Sequence, residues 1–496
     1  GTVENAVALR SALNLLPYPD SDGAVLAALL QAYADSGTVA ALRLCCREAR
    51  GNYALAVLRR GEECLFACAH GAPLYAAVGG GSACVSSDLA ALEPDQMKIY
   101  ALSAGECVQL RPGKLQFWNA KGKKIKKSPC AVTLRRPPAA GFADPGEALQ
   151  ALPGDLELLL HRFVRGDQPR LGKSRLRPRG VSRVLLVGCG TSYQLAQAAA
   201  CNFESVCDVP AFAYSAGEFC AGGVVCDRGA LVVGISASGQ TAEVAEALQK
   251  AAAFGARTAS LTGDPDSPLA RAGGTLLSLP CSLPGGLPPV THFVLGYVLL
   301  ALVAVDWGLR QKTITPLFGR MAVKLCATLP DKLRLILKSG SELDALAAYL
   351  SGYDRLLFVG QNIDLAAAGA MGGVWNRTLG VPVETVPAAE LRHTLLPTVD
   401  SHTALVALIS SRELTEKTCA ALQLAAIRGA GTVVCTVESL LSGARQVFLF
   451  PDSLPLLAPV CQCATLSMLL LRLCTAREQA GRPVEQPPVL PRYFAG

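Results

Sequence analysis

The chain has 496 residues, more than one hydrophobic core normally holds, and this length predicts roughly three domains. Hydrophobic residues make up 51% of the chain and charged residues 17%, a composition that excludes an intrinsically disordered protein. The net charge of +7 is mild for this length. We therefore expect no nucleic-acid partner, although the charge is compatible with small anionic ligands.

The 19 cysteines are scattered or lie in apolar stretches, and their spacing is not that of a zinc site. We interpret them as buried thiols of a protein in the reducing cytoplasm, and we expect no metal and no cofactor. The most apolar run, Phe293 to Val305, has 13 residues, whereas a bilayer-spanning helix needs about 20. A buried helix is predicted there, with no membrane association.

Residues 1–133 contain short apolar runs such as Tyr53–Val57, separated by glycines and charged turns, which predicts a mixed α and β domain. Residues 134–178 are rich in proline and glycine and are interpreted as a linker. One amphipathic helix is predicted within it, at about Leu156 to Val164.

The rest of the chain contains a repeat. An apolar strand that ends at Gly188 and another that ends at Ser236 are each followed by a helical pattern. The same order returns with strands that end at Gly360 and Ser410. The glycine-to-serine spacing is 48 residues the first time and 50 the second. Apolar strands alternating with helices predict a parallel sheet covered on both faces in each repeat.

The predicted fold is therefore α/β, with two tandem doubly wound parallel-sheet domains after a smaller mixed domain. We call residues 179–310 the first repeat and residues 341–475 the second repeat. The complete set of predicted segments is 1–133 (mixed domain), 134–178 (linker), 179–310, 311–340 (helical connector), 341–475 and 476–496 (C-terminal tail).

Two polar loops follow neighbouring strands of the first repeat, Gly188–Ser192 and Ser236–Thr241. Each leads into a helix, so backbone N–H groups and the positive ends of two helix dipoles should meet beyond the strand ends. One such loop can simply cap a helix, but two at adjacent strand ends favour a phosphate site. The predicted ligand contacts are Cys189, Thr191, Ser192, Ser236, Ser238 and Thr241.

These loops, together with Gly217-Glu218-Phe219, resemble the SIS (sugar isomerase) signature of the glutamine–fructose-6-phosphate aminotransferase family. The resemblance continues in Ala389–His393, which is similar to the family's Gly-Glu-Leu-Lys-His, and in Val484–Pro487 near the C-terminus. It implies tandem SIS domains, a hexose 6-phosphate ligand and a homodimer. It also implies that Glu218 is structural or contacts the substrate, and that His393 helps to open the sugar ring.

The same resemblance covers residues 1–133, which are similar to part of the family's glutaminase domain, an α+β domain of the Ntn type. The family's nucleophile is an N-terminal cysteine activated by its own amino group. The sequence as given begins after that position, and only Gly1 and Asp22 match positions of the glutaminase site. We expect this chain not to hydrolyse glutamine.

The isomerase site also departs from the family. Ala237 replaces a glutamine of the phosphate loop. The family places a lysine and a catalytic glutamate on a helix that here reads Gly369–Arg377, without a carboxylate. The family's tail lysine is best matched by Arg492, and arginine does not form a Schiff base at neutral pH.

Aldose–ketose interconversion needs a base near the reacting carbon. The candidates are His393, Glu390 and Glu384. The resemblance implies formation of glucosamine 6-phosphate from fructose 6-phosphate. Two alternatives remain open at this point. One is a different SIS enzyme, such as an amino-sugar-phosphate deaminase or deglycase that uses Glu384 or Glu390 with His393. The other is a non-catalytic sugar-phosphate sensor.

Overall fold

The computed structural model describes residues 1–13, 21–72, 74–87, 92, 97–129, 145–171, 176–280, 288–437, 446–451 and 454–482. The chain forms two compact units. The smaller spans Gly1–Ala140 and the larger spans Gly141–Pro487.

In its described residues, the smaller unit combines three α-helices with antiparallel strands. Its helices are α1 (Ala6–Ala12), α2 (Asp22–Ala32) and α3 (Thr38–Glu48). Its strands are β1 (Thr2–Val3), β2 (Gly51–Leu58), β3 (Leu65–His70), β4 (Tyr75–Gly79), β5 (Ser82–Ser86), β6 (Lys98–Ala101), β7 (Cys107–Arg111), β8 (Lys114–Trp118) and β9 (Lys124–Ile125). One sheet has the order β1-β2-β3-β7-β8-β9 and the other β5-β4-β6.

Small thiols fill part of the core of this unit. Cys45, Cys68 and Cys107 are completely buried, and α3 packs its apolar side on the sheet through Leu42 and Cys45. The cysteines that the structure describes are all free thiols. The interpretation as buried thiols holds for most of them, but Cys189 is exposed and several others are only partly buried.

The larger unit holds both repeats. Its helices are α4 (Pro145–Phe163), α5 (Thr191–Cys207), α6 (Ala216–Ala221), α7 (Ala242–Ala253), α8 (Pro268–Ala272), α9 (Pro289–Gln311), α10 (Pro316–Lys338), α11 (Gly340–Leu350), α12 (Ile363–Leu379), α13 (Arg412–Ile427) and α14 (Ala458–Gln479). Its strands are β10 (Val164–Arg165), β11 (Gln168–Pro169), β12 (Arg183–Gly188), β13 (Ala211–Ser215), β14 (Ala230–Ile235), β15 (Arg257–Thr262), β16 (Leu276–Ser278), β17 (Arg355–Gly360), β18 (Val383–Pro387), β19 (Thr403–Ile409), β20 (Gly431–Thr436) and β21 (Gln446–Leu449).

Each repeat forms a five-stranded sheet. The first has the order β13-β12-β14-β15-β16 and the second β18-β17-β19-β20-β21, and all of their strand pairs are parallel. The central strands β12, β14, β17 and β19 are almost wholly buried, as continuous apolar runs require. The predicted pair of doubly wound parallel sheets is confirmed.

One shared core lies between the two sheets. Helices α5 and α9 of the first repeat and α12 and α14 of the second pack together there. The outer faces are covered by α6, α7 and α8 in the first repeat and by α13 in the second. Both faces of each sheet are therefore covered by helices.

The segment predicted as a linker is partly wrong. Helix α4 runs from Pro145 to Phe163, well before the predicted start at Leu156, and it contains Pro153. Its apolar side, including Leu149 and Leu152, is buried in the shared core. The amphipathic pattern extends through an internal proline, which sequence rules treat as a helix boundary.

Two helical segments among the described residues are long and apolar enough to cross a membrane, α9 and Pro455–Gln479, which contains α14. The apolar window of α9 is 100% buried inside the protein and that of the second segment 83%. The buried helix predicted over Phe293–Val305 is confirmed as part of α9.

Candidate functional site at the strand ends of the first repeat

The strand order creates a crevice at one edge of the first sheet. β13 and β14, the two strands that follow β12 in the chain, lie on opposite sides of it. The connections after β12 and β14 therefore diverge, and a crevice opens between the two strand ends. Gly188 pairs with Ile235 at this edge. The two predicted polar loops begin here, at Gly188 and at Ser236, so the structure brings them together.

The first loop turns so tightly that only a residue without a side chain fits at its start. A Cβ atom on Gly188 would lie 2.7 Å from the carbonyl carbon of Ser192. Gly190 has φ 54° and ψ −124°, a conformation that only glycine adopts readily. It precedes α5, which begins at Thr191 without a side-chain cap. Thr191 is partly exposed, and Ser192 is buried.

The second loop is stabilised by its own hydroxyl groups. The Ser236 and Thr241 hydroxyl oxygens are 2.9 Å apart, and Ser236 Oγ also accepts from Gly239 N–H at 3.1 Å. Ser238 Oγ accepts from Gln240 N–H at 3.2 Å. Thr241 precedes α7 without capping it. These hydroxyls shape the loop, and Ser238 remains exposed to solvent.

The two helices at the crevice differ from α6 and α8 of the same repeat, which begin with a side-chain cap. Ser215 caps α6 by accepting from Glu218 N–H, and Ser267 caps α8 by accepting from Ala270 N–H. Neither α5 nor α7 has such a side-chain cap. Ser192 N–H and Tyr193 N–H of α5 already donate to the carbonyls of Cys189 and Gly190. Thr191 N–H and the first N–H groups of α7, which lack partners inside the helix, are left as donors for an anion.

Two further predicted contacts lie at the same edge. Cys189 follows Gly188 and is exposed. The partial burial of its thiol raises the pKa of Cys189 above the usual value. Glu218 lies in the first turn of α6 after β13, whose last residue pairs with Gly188, and it is exposed.

Ser192 has a buried partner that sequence reasoning missed. His292 Nε2, on α9, lies 3.0 Å from Ser192 Oγ, and only 1% of His292 is exposed. Burial lowers the pKa of His292 from 6.5 to about 4, so the ring is neutral at physiological pH. The sequence alone does not indicate this contact, because the two residues are 100 positions apart.

Glu384 is wrong as a candidate base. It is the second residue of β18 and pairs with Leu357 near the start of β17, so it lies toward the amino end of the sheet, away from the crevice edge. Its carboxylate accepts two hydrogen bonds from Arg355, at 2.6 and 2.9 Å. Glu384 is a partly exposed strand residue that forms an ion pair with Arg355.

Glu390 and His393 lie at the carboxyl edge of the second sheet, in the turn that follows β18. The backbone carbonyl of Glu390 accepts from His393 N–H at 3.0 Å, and both side chains are exposed. Arg492 lies outside the described residues, as does Val484–Pro487. Among the described residues, no group of histidines, cysteines and carboxylates could hold a metal ion.

The helix that should carry the family's catalytic glutamate is α12. Its stretch Gly369–Arg377 presents the buried Trp375, whose Nε1 donates to the carbonyl of Leu466 at 3.1 Å. The carboxylate of α12 is instead Asp364 in the first turn, which is fully buried. Sequence reasoning missed this residue. An alignment of the two repeats could have found it, because Asp364 follows Gly360 at the distance at which Ser192 follows Gly188.

Asp364 is held on both oxygens. Gln462 Nε2 donates to Oδ1 at 2.6 Å, and Ser410 N–H donates to Oδ2 at 3.0 Å. Burial raises the pKa of Asp364 from 3.8 to about 6, and the hydrogen bonds from Gln462 and Ser410 oppose that rise. Asp364 therefore links α12 to α14 and to the residue that follows β19 inside the second repeat.

Comparison with known proteins supports the family resemblance that the motifs indicated. Residues 179–304 match the family model described as SIS domain. Glutamine–fructose-6-phosphate aminotransferase [isomerizing] from Thermus thermophilus is 26% identical over 500 residues, which are 98% of this chain and 82% of that protein. The protein of the same name from Pseudomonas syringae pv. tomato is 26% identical over 517 residues, with the same coverage.

Solved structures agree on the fold. The C-terminal domain of glucosamine-fructose-6-phosphate aminotransferase from Francisella tularensis superposes with a TM-score of 0.64 at 22% identity, covering 70% of this chain and 100% of that one. Glucosamine-6-phosphate deaminase from Thermotoga maritima gives a TM-score of 0.51 at 18% identity, covering 70% and 98%. The resemblance inferred from the motifs is confirmed: residues 179–304 are a SIS domain, and the chain is similar to the glutamine–fructose-6-phosphate aminotransferases over 98% of its length.

Proposed function

We propose that this protein binds a hexose 6-phosphate in the crevice between the ends of β12 and β14. The observation that carries the proposal is the pair of uncapped helices, α5 and α7, whose N-termini flank two loops rich in hydroxyl groups. Helix ends of this kind bind phosphate through backbone N–H groups and the helix dipole, without a lysine.

Each part of the site has a role in this proposal. Thr191, Ser192 and Ser238 supply hydroxyl donors, and Gly190 lets the backbone approach the phosphate. Ala237 offers no side-chain donor, so the backbone and the serines carry the phosphate. Glu218, on the neighbouring helix α6, is suited to bind a sugar hydroxyl.

Binding itself is tested by calorimetric titration of the unmodified protein with fructose 6-phosphate, glucosamine 6-phosphate, fructose and inorganic phosphate. We expect both hexose phosphates to bind and unphosphorylated fructose to bind far more weakly. If fructose binds as tightly as its 6-phosphate, the proposed phosphate site is wrong.

We further propose that any turnover follows the family reaction, from fructose 6-phosphate to glucosamine 6-phosphate, with ammonia as the nitrogen donor. Within the described residues, His393 and Glu390 are the remaining candidates for proton transfer, since Glu384 is engaged with Arg355. Both are exposed, and a neighbouring subunit would be needed to enclose them. We accordingly propose a homodimer, which sedimentation at micromolar concentration tests; a monomer alone would contradict it.

One observation favours a second function, that of a non-catalytic sugar-phosphate sensor. Gly369–Arg377 carries no carboxylate, and the buried Trp375 lies in this stretch. The two functions differ in proton exchange at the sugar. An isomerising enzyme should incorporate deuterium at C1 of fructose 6-phosphate in heavy water, detectable by NMR. A sensor should bind the same sugar phosphate and leave it unlabelled.

A further inference from the structure

His292 is a buried histidine, and only one of its two ring nitrogens has a hydrogen-bond partner among the described residues. Its Nε2 lies 3.0 Å from Ser192 Oγ, while its Nδ1 has no hydrogen-bond partner among the described residues. Because the ring is neutral, it carries one N–H donor and one lone-pair acceptor. The position of that single hydrogen decides what the Ser192 hydroxyl can do.

The two tautomers have different costs. With the hydrogen on Nδ1, a buried N–H donor would be left without an acceptor, which costs about 1–3 kcal/mol. With the hydrogen on Nε2, the ring donates to Ser192 Oγ and leaves an unpaired lone pair at Nδ1, a defect that folded proteins tolerate more readily. The second arrangement is therefore favoured.

The second repeat contains a matching pair. Asp364 follows Gly360 at the same distance at which Ser192 follows Gly188. Its partner Gln462 lies in the first turns of α14, as His292 lies in the first turn of α9. The Gln462 amide donates to Asp364 at 2.6 Å. In both repeats, the last helix thus contacts the polar residue in the first turn of the helix that follows the first strand.

We infer that His292 is a positioning residue for the sugar-phosphate site: its Nε2–H donates to Ser192 Oγ, so that the Ser192 hydroxyl hydrogen is committed to a phosphate oxygen. A serine whose oxygen is already occupied as an acceptor by an internal donor offers its own hydrogen to the ligand. With only 8% of Ser192 exposed, that hydrogen bond is little weakened by water. This inference rests on the proposed sugar-phosphate function.

The inference is tested by a double-mutant cycle with fructose 6-phosphate as the titrant. Ser192→Ala should weaken binding about tenfold, the equivalent of one hydrogen bond to a charged group. His292→Leu should weaken it by a similar factor. The double variant should be no weaker than Ser192→Ala alone, because His292 acts through Ser192. His292→Gln, which can donate from its own Nε2 as Gln462 does, should restore binding to about twofold of the original.

The control is Gln462→Leu, which removes the matching donor in the second repeat and should leave the affinity for fructose 6-phosphate unchanged. Thermal unfolding of each variant shows that it is folded before titration. If His292→Leu binds like the unmodified protein while Ser192→Ala is weakened, the positioning role is wrong and the phosphate site stands. If the unmodified protein does not bind fructose 6-phosphate, the proposed function itself is wrong and the inference fails with it.

A measurement on the unmodified protein keeps the inference open to refutation even where His292→Leu or Ser192→Ala fails to fold. Long-range proton–nitrogen NMR of histidine-labelled protein distinguishes the two tautomers of each of the five histidines. The signal of His292 is the one absent from His292→Gln. We expect a neutral ring protonated at Nε2 at pH 7. A ring protonated at Nδ1 would overturn the inference.

Discussion

The two repeats have nearly the same backbone at the crevice edge and fill it differently. Gly190 has φ 54° and ψ −124°, and Asn362, at the matching position, has φ 55° and ψ −122°. In the first repeat, six residues separate β14 from α7, and four of them carry hydroxyl or amide groups. In the second, Ser410 and Ser411 alone separate β19 from α13.

The second repeat has an anion of its own at this edge. The buried carboxylate of Asp364 accepts the N–H of Ser410, the first residue after β19. The first repeat places Ser192 at the matching position, beside the neutral His292. The same fold thus forms a crevice twice, and only the first has a loop suited to an external phosphate.

Because the two repeats share this backbone, the same glycine-to-alanine substitution in each should lower the free energy of unfolding by the same amount. A Cβ on Gly188 would lie 2.7 Å from backbone of Ser192, and one on Gly360 would lie 2.8 Å from the backbone N of Leu365. Because backbone atoms cannot move aside cheaply, Gly188→Ala and Gly360→Ala should each lower the free energy of unfolding by about 3 kcal/mol. Urea denaturation followed by the fluorescence of the buried Trp307 and Trp375 measures this.

Gly154→Ala is the control for that experiment, since a Cβ at Gly154 meets nothing within 4 Å. It should be neutral or slightly stabilising in a helix. Of the two destabilised variants, Gly188→Ala alone should also weaken hexose-phosphate binding. Equal loss of binding in both would contradict the assignment of different roles to the two repeats.

The buried carboxylate predicts a pH dependence that belongs to the second repeat. The pKa of Asp364 is raised from 3.8 to about 6 in the folded state, so the folded protein holds this proton more tightly than the unfolded chain. The resulting stabilisation, about 3 kcal/mol for this shift, is present below about pH 4 and is lost as the pH rises through about 6.

Asp364→Asn removes that titration. Relative to the unmodified protein, the variant should gain up to about 3 kcal/mol of unfolding free energy at pH 8, and the difference should vanish near pH 4. Urea denaturation at several pH values measures both curves. Parallel curves for the two proteins would show that Asp364 does not titrate as described.

At the matching positions Gly190 and Asn362, we expect substitutions to change the stability of the protein by smaller amounts and with opposite signs. A residue other than glycine at φ 55° is strained, so Asn362→Gly should stabilise the protein by about 1 kcal/mol after the entropic cost of glycine. Gly190→Asn should destabilise it by about 1 kcal/mol, because open space around Gly190 leaves backbone strain as the cost. Thermal unfolding measures both shifts, and shifts of the same sign would contradict the shared geometry.

Sequence patterns predicted the strands and the two loops because buried parallel strands are continuous apolar runs that end in small polar residues. They failed where a contact joins distant positions, as with Ser192 and His292 or Asp364 and Gln462. They also failed for Glu384, because proximity in the sequence to His393 says nothing about which end of β18 a side chain occupies. The start of α4 was missed because Pro153 lies inside the helix.

The central claim is that the crevice of the first repeat, and not that of the second, binds a phosphorylated sugar. The most direct test is calorimetric titration of fructose 6-phosphate against the unmodified protein, Ser236→Ala, Ser238→Ala and the matched control Ser410→Ala. Ser238→Ala loses a hydroxyl donor to the phosphate, and Ser236→Ala loses the hydroxyl that holds the phosphate loop to Gly239 and Thr241. Each should weaken binding by at least about tenfold. Ser410→Ala should bind like the unmodified protein. Equal affinities in all four proteins would contradict the claim.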